Sequence, residues 1–153
     1  MPRLRYAGIA TALAEEVRQT MRSPQYGHPA HRELARGYGP CRHCLRTFRQ
    51  HEEDRLLFTY QPFAANQLPA PGPVFIHAAA CPRYDADELP PEFRALPLVV
   101  EGYDAGGRLV WQERVGDRQP EEVIGAAFSR RDVAFAHLRN GEAGCFMARV
   151  ERE

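Results

Sequence analysis

The chain has 153 residues, 44% hydrophobic and 26% charged; a domain of this size hides roughly 68–70% of its unfolded surface and can hold a core without staples. Its 20 Lys+Arg balance 20 Asp+Glu, so it lacks the positive excess with which proteins grip a nucleic-acid backbone, and no apolar run approaches the ~18–20 residues of a membrane span. All 20 basic residues are arginine, which excludes Schiff-base chemistry on a lysine amine and a phosphate loop with its lysine.

Taken in chain order, Leu13, Val17 and Met21 recur every fourth residue and predict an amphipathic helix over about 10–22, stopped before Pro24. The segment before it, Met1 to Ala14, has two arginines and a short apolar run, faintly like a secretory leader. Glu15-Glu16 and the amphipathic continuation argue instead that it is part of a helix. Residues 23–40, rich in Pro and Gly and carrying His28 and His31, read as a long connection. Leu56 to Tyr60 and Pro73 to His77 read as strands, the second approached through a stretch stiffened by Pro69 and Pro71. Residues 81–97 form a second loop-rich insertion with four prolines. Leu98 to Tyr103 and Leu109 to Val115 flank Asp104-Ala105-Gly106-Gly107, a hairpin signal.

A well-marked helix follows. Pro120 suits the first helical position, Glu121 and Glu122 favour the positive end, and Arg130-Arg131 favour the other. Val133 to Leu138 and a terminal strand complete the pattern, with Asn140-Gly141 as the predicted two-residue turn between them. There is no alternating strand–helix rhythm. The expected fold is therefore α+β, a single domain over 1–153 with a mostly antiparallel sheet of about six strands and two or three short helices.

Several enzyme signatures are missing. Ser23 and Ser129 are the only serines and neither lies in a Gly-x-Ser-x-Gly elbow, and no Gly-x-Gly-x-x-Gly follows a strand. The cysteines leave two readings. Cys41-Arg42-His43-Cys44 has metal-knuckle spacing, and Cys81 and Cys145 could complete a four-thiolate zinc site. One pair joined by two distant single cysteines is a weak pattern, so these thiols are otherwise ordinary half-buried residues, and no metal or other cofactor is expected. Catalytic redox use of the pair lacks the strand-to-helix context of a thioredoxin-like motif.

Three segments carry a family resemblance. The end of the chain, His137 to Arg152, resembles a closing His-x-[His/Arg]-Asn…Gly-Cys…Ala-Arg-Val run. Cys41-Arg42-His43-Cys44-Leu45 is similar to a Cys-Arg-x-[Ser/Cys]-Leu element, and Gly72-Pro73-Val74-Phe75-Ile76-His77 to a Gly-Pro-Ile-Phe-Val strand. All three belong to a bacterial family known as domain of unknown function 1203. The resemblance implies no activity. Its [Ser/Cys] alternative at Cys44 also implies that a zinc site would not be general to the family.

The polar residues near these segments are the binding candidates. Arg42 and Arg139 offer planar forks for a carboxylate or phosphate, and Asn140 offers donor and acceptor. His77, at a strand end near Arg83 and Tyr84, could meet an anion or act as an acid or base. A two-residue turn would put Arg139 opposite Glu142 and send His137 and Cys145 to opposite faces, which disfavours a Cys–His nucleophile pair there. The leading expectation is a cytoplasmic protein that binds a small molecule or anion at a cleft framed by 41–45 and 137–145. Arg42, His77, Arg83, His137, Arg139 and Asn140 are its candidate contacts, and whether it is an enzyme is left open. The alternatives are an interaction module using loop 23–40 or 81–97, and a structural zinc protein using Cys41, Cys44, Cys81 and Cys145. Neither nucleic acid nor a membrane is an expected partner.

Overall fold

A computed structural model describes residues 2–63 and 71–153; Met1 and Pro69, which entered the expectations above, lie outside the described residues. The chain divides into two compact units, one made of residues 1–7 and 85–153, the other of residues 8–84. The class is α+β with antiparallel pairing throughout the strands, as the sequence predicts.

In the first unit, β1 (Leu4–Ala7), β5 (Asp85–Ala86), β6 (Leu98–Tyr103), β7 (Leu109–Arg114), β8 (Phe135–Asn140) and β9 (Phe146–Arg152) form a six-stranded sheet in the order β5-β1-β9-β8-β6-β7. The expectation of helix at the start of the chain is corrected here: residues 4–7 alternate buried and outward side chains and pair with β9, Leu4 facing Arg152 and Tyr6 facing Val150. Residues 81–97 hold β5 and a short 3-10 helix, Pro91–Ala95, rather than loop alone. Helix α2 (Pro120–Phe128) begins on Pro120 and buries Val123, Ile124, Ala127 and Phe128 as its pattern predicts. It ends before Arg130, whose guanidinium pairs with Asp132 at 2.9 Å.

The β8–β9 connection also departs from expectation. His137 faces Arg149 and Arg139 faces Phe146, with a bulge beside Leu138. The Asn140 Oδ1 accepts from the backbone N–H of Glu142 and Ala143 at 2.8 and 2.9 Å, so its carbonyl organises a wider turn. The positive φ, 77°, falls on Gly144 instead. Arg139 pairs with Glu101 on β6 rather than with Glu142, and donates to the Gly144 carbonyl at 3.1 Å.

On that face of the sheet His137 is fully buried among aromatic rings, with centroids 4.9 Å from Tyr103, 5.5 Å from Phe135 and 4.9 Å from Phe146. Burial first, then the charges of Arg139 and Arg149, push its pKa down to about 3. As pH falls below about 6.5 the unfolded chain takes up a proton that the folded chain refuses until about pH 3. This group therefore adds stability above pH 6.5 that is lost on acidification, at about 1.4 kcal/mol per pH unit within the window. Urea denaturation at pH 7 and pH 5 should show that loss, and His137→Leu should flatten it. A pH dependence unchanged by the substitution would refute a neutral, buried His137.

The second unit holds helix α1 (Thr11–Thr20) and a three-stranded sheet of β2 (His31–Leu34), β3 (Asp54–Tyr60) and β4 (Gly72–His77), in the order β2-β3-β4. Strand β2 lies inside the stretch expected to be a plain connection. Its side chains are mostly exposed, and pairing with β3 from His31–Leu57 to Leu34–Asp54 makes it a strand. Helix α1 buries Ala14 and Val17, and Thr11 and Arg18, two turns apart, share one side of it. Ala14, Val17, Leu45, Phe48, Leu56, Phe58, Val74 and Ile76 build the core of this unit.

Candidate metal centre

Residues 41–46 fold into a tight knuckle. The Leu45 N–H donates to the Cys41 carbonyl at 2.9 Å, the Cys41 N–H to the Arg46 carbonyl at 3.0 Å, and Leu45 takes a positive φ of 59°. Neighbouring backbone holds the knuckle in place: Arg42 N–H donates to Phe75 on β4, while Ile9 and Tyr84 N–H groups donate to the Arg42 and His43 carbonyls at 2.8 and 2.9 Å. Gly8 is required at this approach, since a Cβ there would collide with the carbonyl oxygens of His43 and Arg42.

Strand β4 ends beside the knuckle. Alternation along it sends Val74 and Ile76 to one buried face and His77 to the other, where its ring lies 4.6 Å from that of Phe48. Cys81 follows four residues later. The Sγ atoms of Cys41, Cys44 and Cys81 and one ring nitrogen of His77 all lie within 4.8 Å of one another. Cys41 and Cys81 sulfurs are 4.0 Å apart, and Cys44 Sγ is 3.4 Å from His77 Nδ1. Tetrahedral bonds of zinc length place two sulfurs roughly 3.8 Å apart and a sulfur and an imidazole nitrogen roughly 3.6 Å apart. These two edges fit one ion of that size.

The surrounding groups are arranged around those four. His77 turns Nδ1 to the thiols, so Nε2 carries the proton it donates to Glu53 Oε2 at 3.2 Å. Glu53 is held in turn by the Arg49 N–H at 2.8 Å and by Arg46 at 3.1 Å. Burial works against its charge, yet these donors and His77 hold its pKa down to about 2. On the opposite side, Cys81 Sγ accepts from Arg18 Nη2 and from His43 Nδ1, each at 3.2 Å, and the other His43 nitrogen meets the Thr11 hydroxyl at 2.9 Å. The His77 N–H points to Cys41 Sγ at 3.3 Å.

Without a metal, this geometry favours a thiolate beside an imidazolium. Burial opposes charge on Cys41, but hydrogen bonds from Cys44, Cys81 and His77 outweigh it and hold Cys41 well below the usual thiol range. Cys44 is pushed up, first by the hydrogen bond it gives to Cys41. Burial also opposes charge on His77, while the thiols and Glu53 raise it to about 10. Burial and then the Arg18 charge hold His43 below its ordinary range, consistent with a neutral ring that donates from Nδ1.

The other candidate residues sit elsewhere. Cys145 belongs to the first unit, where its sulfur faces the Ala143 carbonyl, so His77 takes the fourth position that the zinc alternative gave to Cys145. Arg42 is buried and donates to the Pro40 carbonyl; exposed Arg83 donates to the Gly8 carbonyl at 3.1 and 3.0 Å. Segment 41–45 lies in the second unit, and His137, Arg139 and Asn140 in the first. The overlooked signal was the spacing His77-x-x-x-Cys81, which with Cys41-x-x-Cys44 makes a second ligand pair. Thr11, Arg18, His43 and Glu53 carried no signal of their own.

The fold and this cluster define an α+β protein with a three-cysteine, one-histidine centre in its second unit. The chain belongs to the family described as protein of unknown function (DUF1203), whose model matches residues 37–152 and so spans all four cluster residues. Neither the curated proteins nor the solved structures contain a match to the chain. Among the described residues, no helix is long and apolar enough to cross a membrane.

Proposed function

We propose that this chain is a zinc-binding protein in which Cys41, Cys44, His77 and Cys81 hold one ion in a closed, structural site. The observation that carries the reading is the convergence of three sulfurs and an imidazole nitrogen within 4.8 Å of one another. Four protein ligands fill a tetrahedral site and leave no position for substrate, which is the pattern of structural rather than catalytic zinc. The Glu53–His77 contact supplies the outer carboxylate that fixes a ligating imidazole. Three thiolates and Zn²⁺ leave one net negative charge, beside which Arg18 stands. Ligation needs reduced thiols, which fits a reducing bacterial cytoplasm.

This reading replaces the expectation that no metal is bound, which rested on one cysteine pair joined only to two distant single cysteines and on the Ser/Cys alternative at Cys44. Anion binding at Arg42 and Arg139 has less support, because both guanidinium groups hold internal partners.

Purified protein loaded under reducing conditions should carry one zinc per chain by elemental analysis and native mass spectrometry. Cys44→Ser and His77→Ala should lose it, and Cys145→Ser should keep it. Glu53→Gln should weaken affinity roughly 10–100-fold, as outer-shell substitutions do. A chain that stays substoichiometric in excess zinc, or that keeps full zinc in both ligand variants, overturns the reading.

A further inference from the structure

Helix α1 supplies no ligand to the cluster, yet two of its side chains bear on one sulfur. Thr11 and Arg18 share a side of the helix, two turns apart. The Arg18 fork spans two of the ligand residues: Nε donates to the His77 carbonyl at 3.0 Å, and Nη2 to Cys81 Sγ at 3.2 Å. Thr11 acts through His43, whose Nδ1 faces Cys81 Sγ at 3.2 Å and whose Nε2 meets the Thr11 hydroxyl at 2.9 Å. A metal-bound sulfur has no proton to give, so Nδ1 must donate to it and Nε2 must accept from Thr11. Cys81 has particular need of such support. Cys41 and Cys44 sit in a knuckle fixed by its own backbone bonds, whereas Cys81 lies alone in a loop after β4. None of the Arg18 partners is a carboxylate, and Nη1 is buried with no hydrogen-bond partner among the described residues. A half-buried cation that faces only dipoles is unfavourable until a counter-charge arrives.

We propose that Arg18 and the Thr11–His43 pair are positioning residues for the metal, holding Cys81 in the ligand set, with Arg18 as the counter-charge of the loaded centre. The inference rests on the zinc reading above and assigns the residues that set its affinity. Coordination itself displaces the proton of each ligating cysteine. A divalent ion held by three thiolates and a neutral imidazole is therefore a net anion, and Arg18 is the cation in contact with it. Its guanidinium joins that anion to the His77 carbonyl, so one side chain ties Cys81 to the end of β4. A thiolate bound to the ion keeps lone pairs for both donors, and charge-assisted hydrogen bonds are the stronger kind. These donors draw electron density from the sulfur, as outer hydrogen bonds do at other metal centres. The helix thus contributes to the site through its outer groups, just as Glu53 does through His77.

The test loads the full-length parent and its variants with Co²⁺ under reducing conditions and then displaces it with Zn²⁺. Arg18→Met should weaken affinity for both ions roughly 10–100-fold, the range of outer-shell losses. Arg18→Lys, which keeps the charge without the fork, should recover part of that loss. Thr11→Val should weaken affinity by about tenfold or less, and Thr11→Ser, which keeps the hydroxyl, should match the parent. The sulfur-to-cobalt charge-transfer band reads the donors directly. In Arg18→Met it should move to lower energy, because a thiolate that has lost a donor gives up its electron more readily. The d–d bands should keep the intensity of a tetrahedral ion. A helix that merely packs less well would weaken binding without moving the charge-transfer band, and lysine would not restore it; that result counts against the role of Arg18. An affinity and a band equal to the parent's in Arg18→Met overturn the inference and leave the zinc reading standing. A parent chain that takes up neither ion removes both.

Discussion

Chelation of the zinc-loaded protein is expected to lower its melting temperature by roughly 10 °C. An ion that binds only the folded chain stabilises it by about 4 kcal/mol when free metal stands a thousandfold above its dissociation constant. For a chain of about this length each kcal/mol moves the midpoint by roughly 2–4 °C. The proposed ligands come from three places: the knuckle at 41–44, the end of β4, and the loop at Cys81. One bound ion therefore ties together segments that otherwise rely on backbone contacts such as Arg42 N–H to Phe75 and Tyr84 N–H to His43. Cys41→Ser should reproduce the low midpoint and make it indifferent to chelator. Superimposable melting curves for the loaded and chelated parent would mean that no such tie exists. The comparison should be made in the presence of a reductant that does not bind metal, since reshuffled thiols break two-state behaviour.

Phe146→Ala should be comparably severe, for a reason that lies in the other unit. Phe146 opens β9 opposite Arg139, is 5% exposed, and meets the His137 ring edge-on at 4.9 Å. Truncating a buried Phe costs about 3–5 kcal/mol, the lost transfer energy plus the cavity left behind. Where the neighbouring side chains are themselves aromatic and closely packed, the cavity collapses poorly. Urea denaturation should therefore show a much lower midpoint with a similar slope, and expression should fall. An unchanged midpoint would mean that Phe146 is not a core residue and that the register of β9 is wrong.

Much of the fold was legible because its strands are dense in apolar and β-branched residues. Leu56 to Tyr60, Pro73 to His77, Leu98 to Tyr103 and, of Leu109 to Val115, all but Val115 became strands, and Pro120 with Val123, Ile124, Ala127 and Phe128 became α2. The failures share a physical cause. Strand β2 reads His31-Arg32-Glu33-Leu34 and is mostly exposed, so no period-2 signal exists; β3 alone makes it a strand. Strand β1 is four residues long and owes its conformation to β9, which lies at the far end of the chain. The Asn140-Gly141 pair carried the local signature of a tight turn, yet the bulge by Leu138 and the side-chain oxygen of Asn140 organise a wider one.

The centre divides in the same way. Cys41-x-x-Cys44 was visible as a knuckle and His77 as a strand-end histidine, because each is a local feature. That His77, and not Cys145, joins the thiols depends on the antiparallel pairing of β3 with β4 and on the Arg42–Phe75 hydrogen bond. No window of sequence contains that pairing. Glu53 and Arg18 are further still from local inference: each looks like an ordinary surface charge until the chain brings His77 or Cys81 to it.

The interleaving of the two units has a consequence for biosynthesis. Ala7 pairs with Asp85, and Gly8 N–H donates to the Tyr84 carbonyl at 3.0 Å, so the two ends of the thiol-bearing stretch lie side by side. Emerging from the ribosome, residues 8–84 are a continuous segment holding all four proposed ligands, whereas the host sheet has then received only β1, whose neighbour β9 is the last element to be made. The inserted unit can close on itself, and take up an ion, while its host is still an open strand waiting for a partner. A nascent chain halted shortly beyond Tyr84 would then already be competent for metal, well ahead of the completion of the six-stranded sheet.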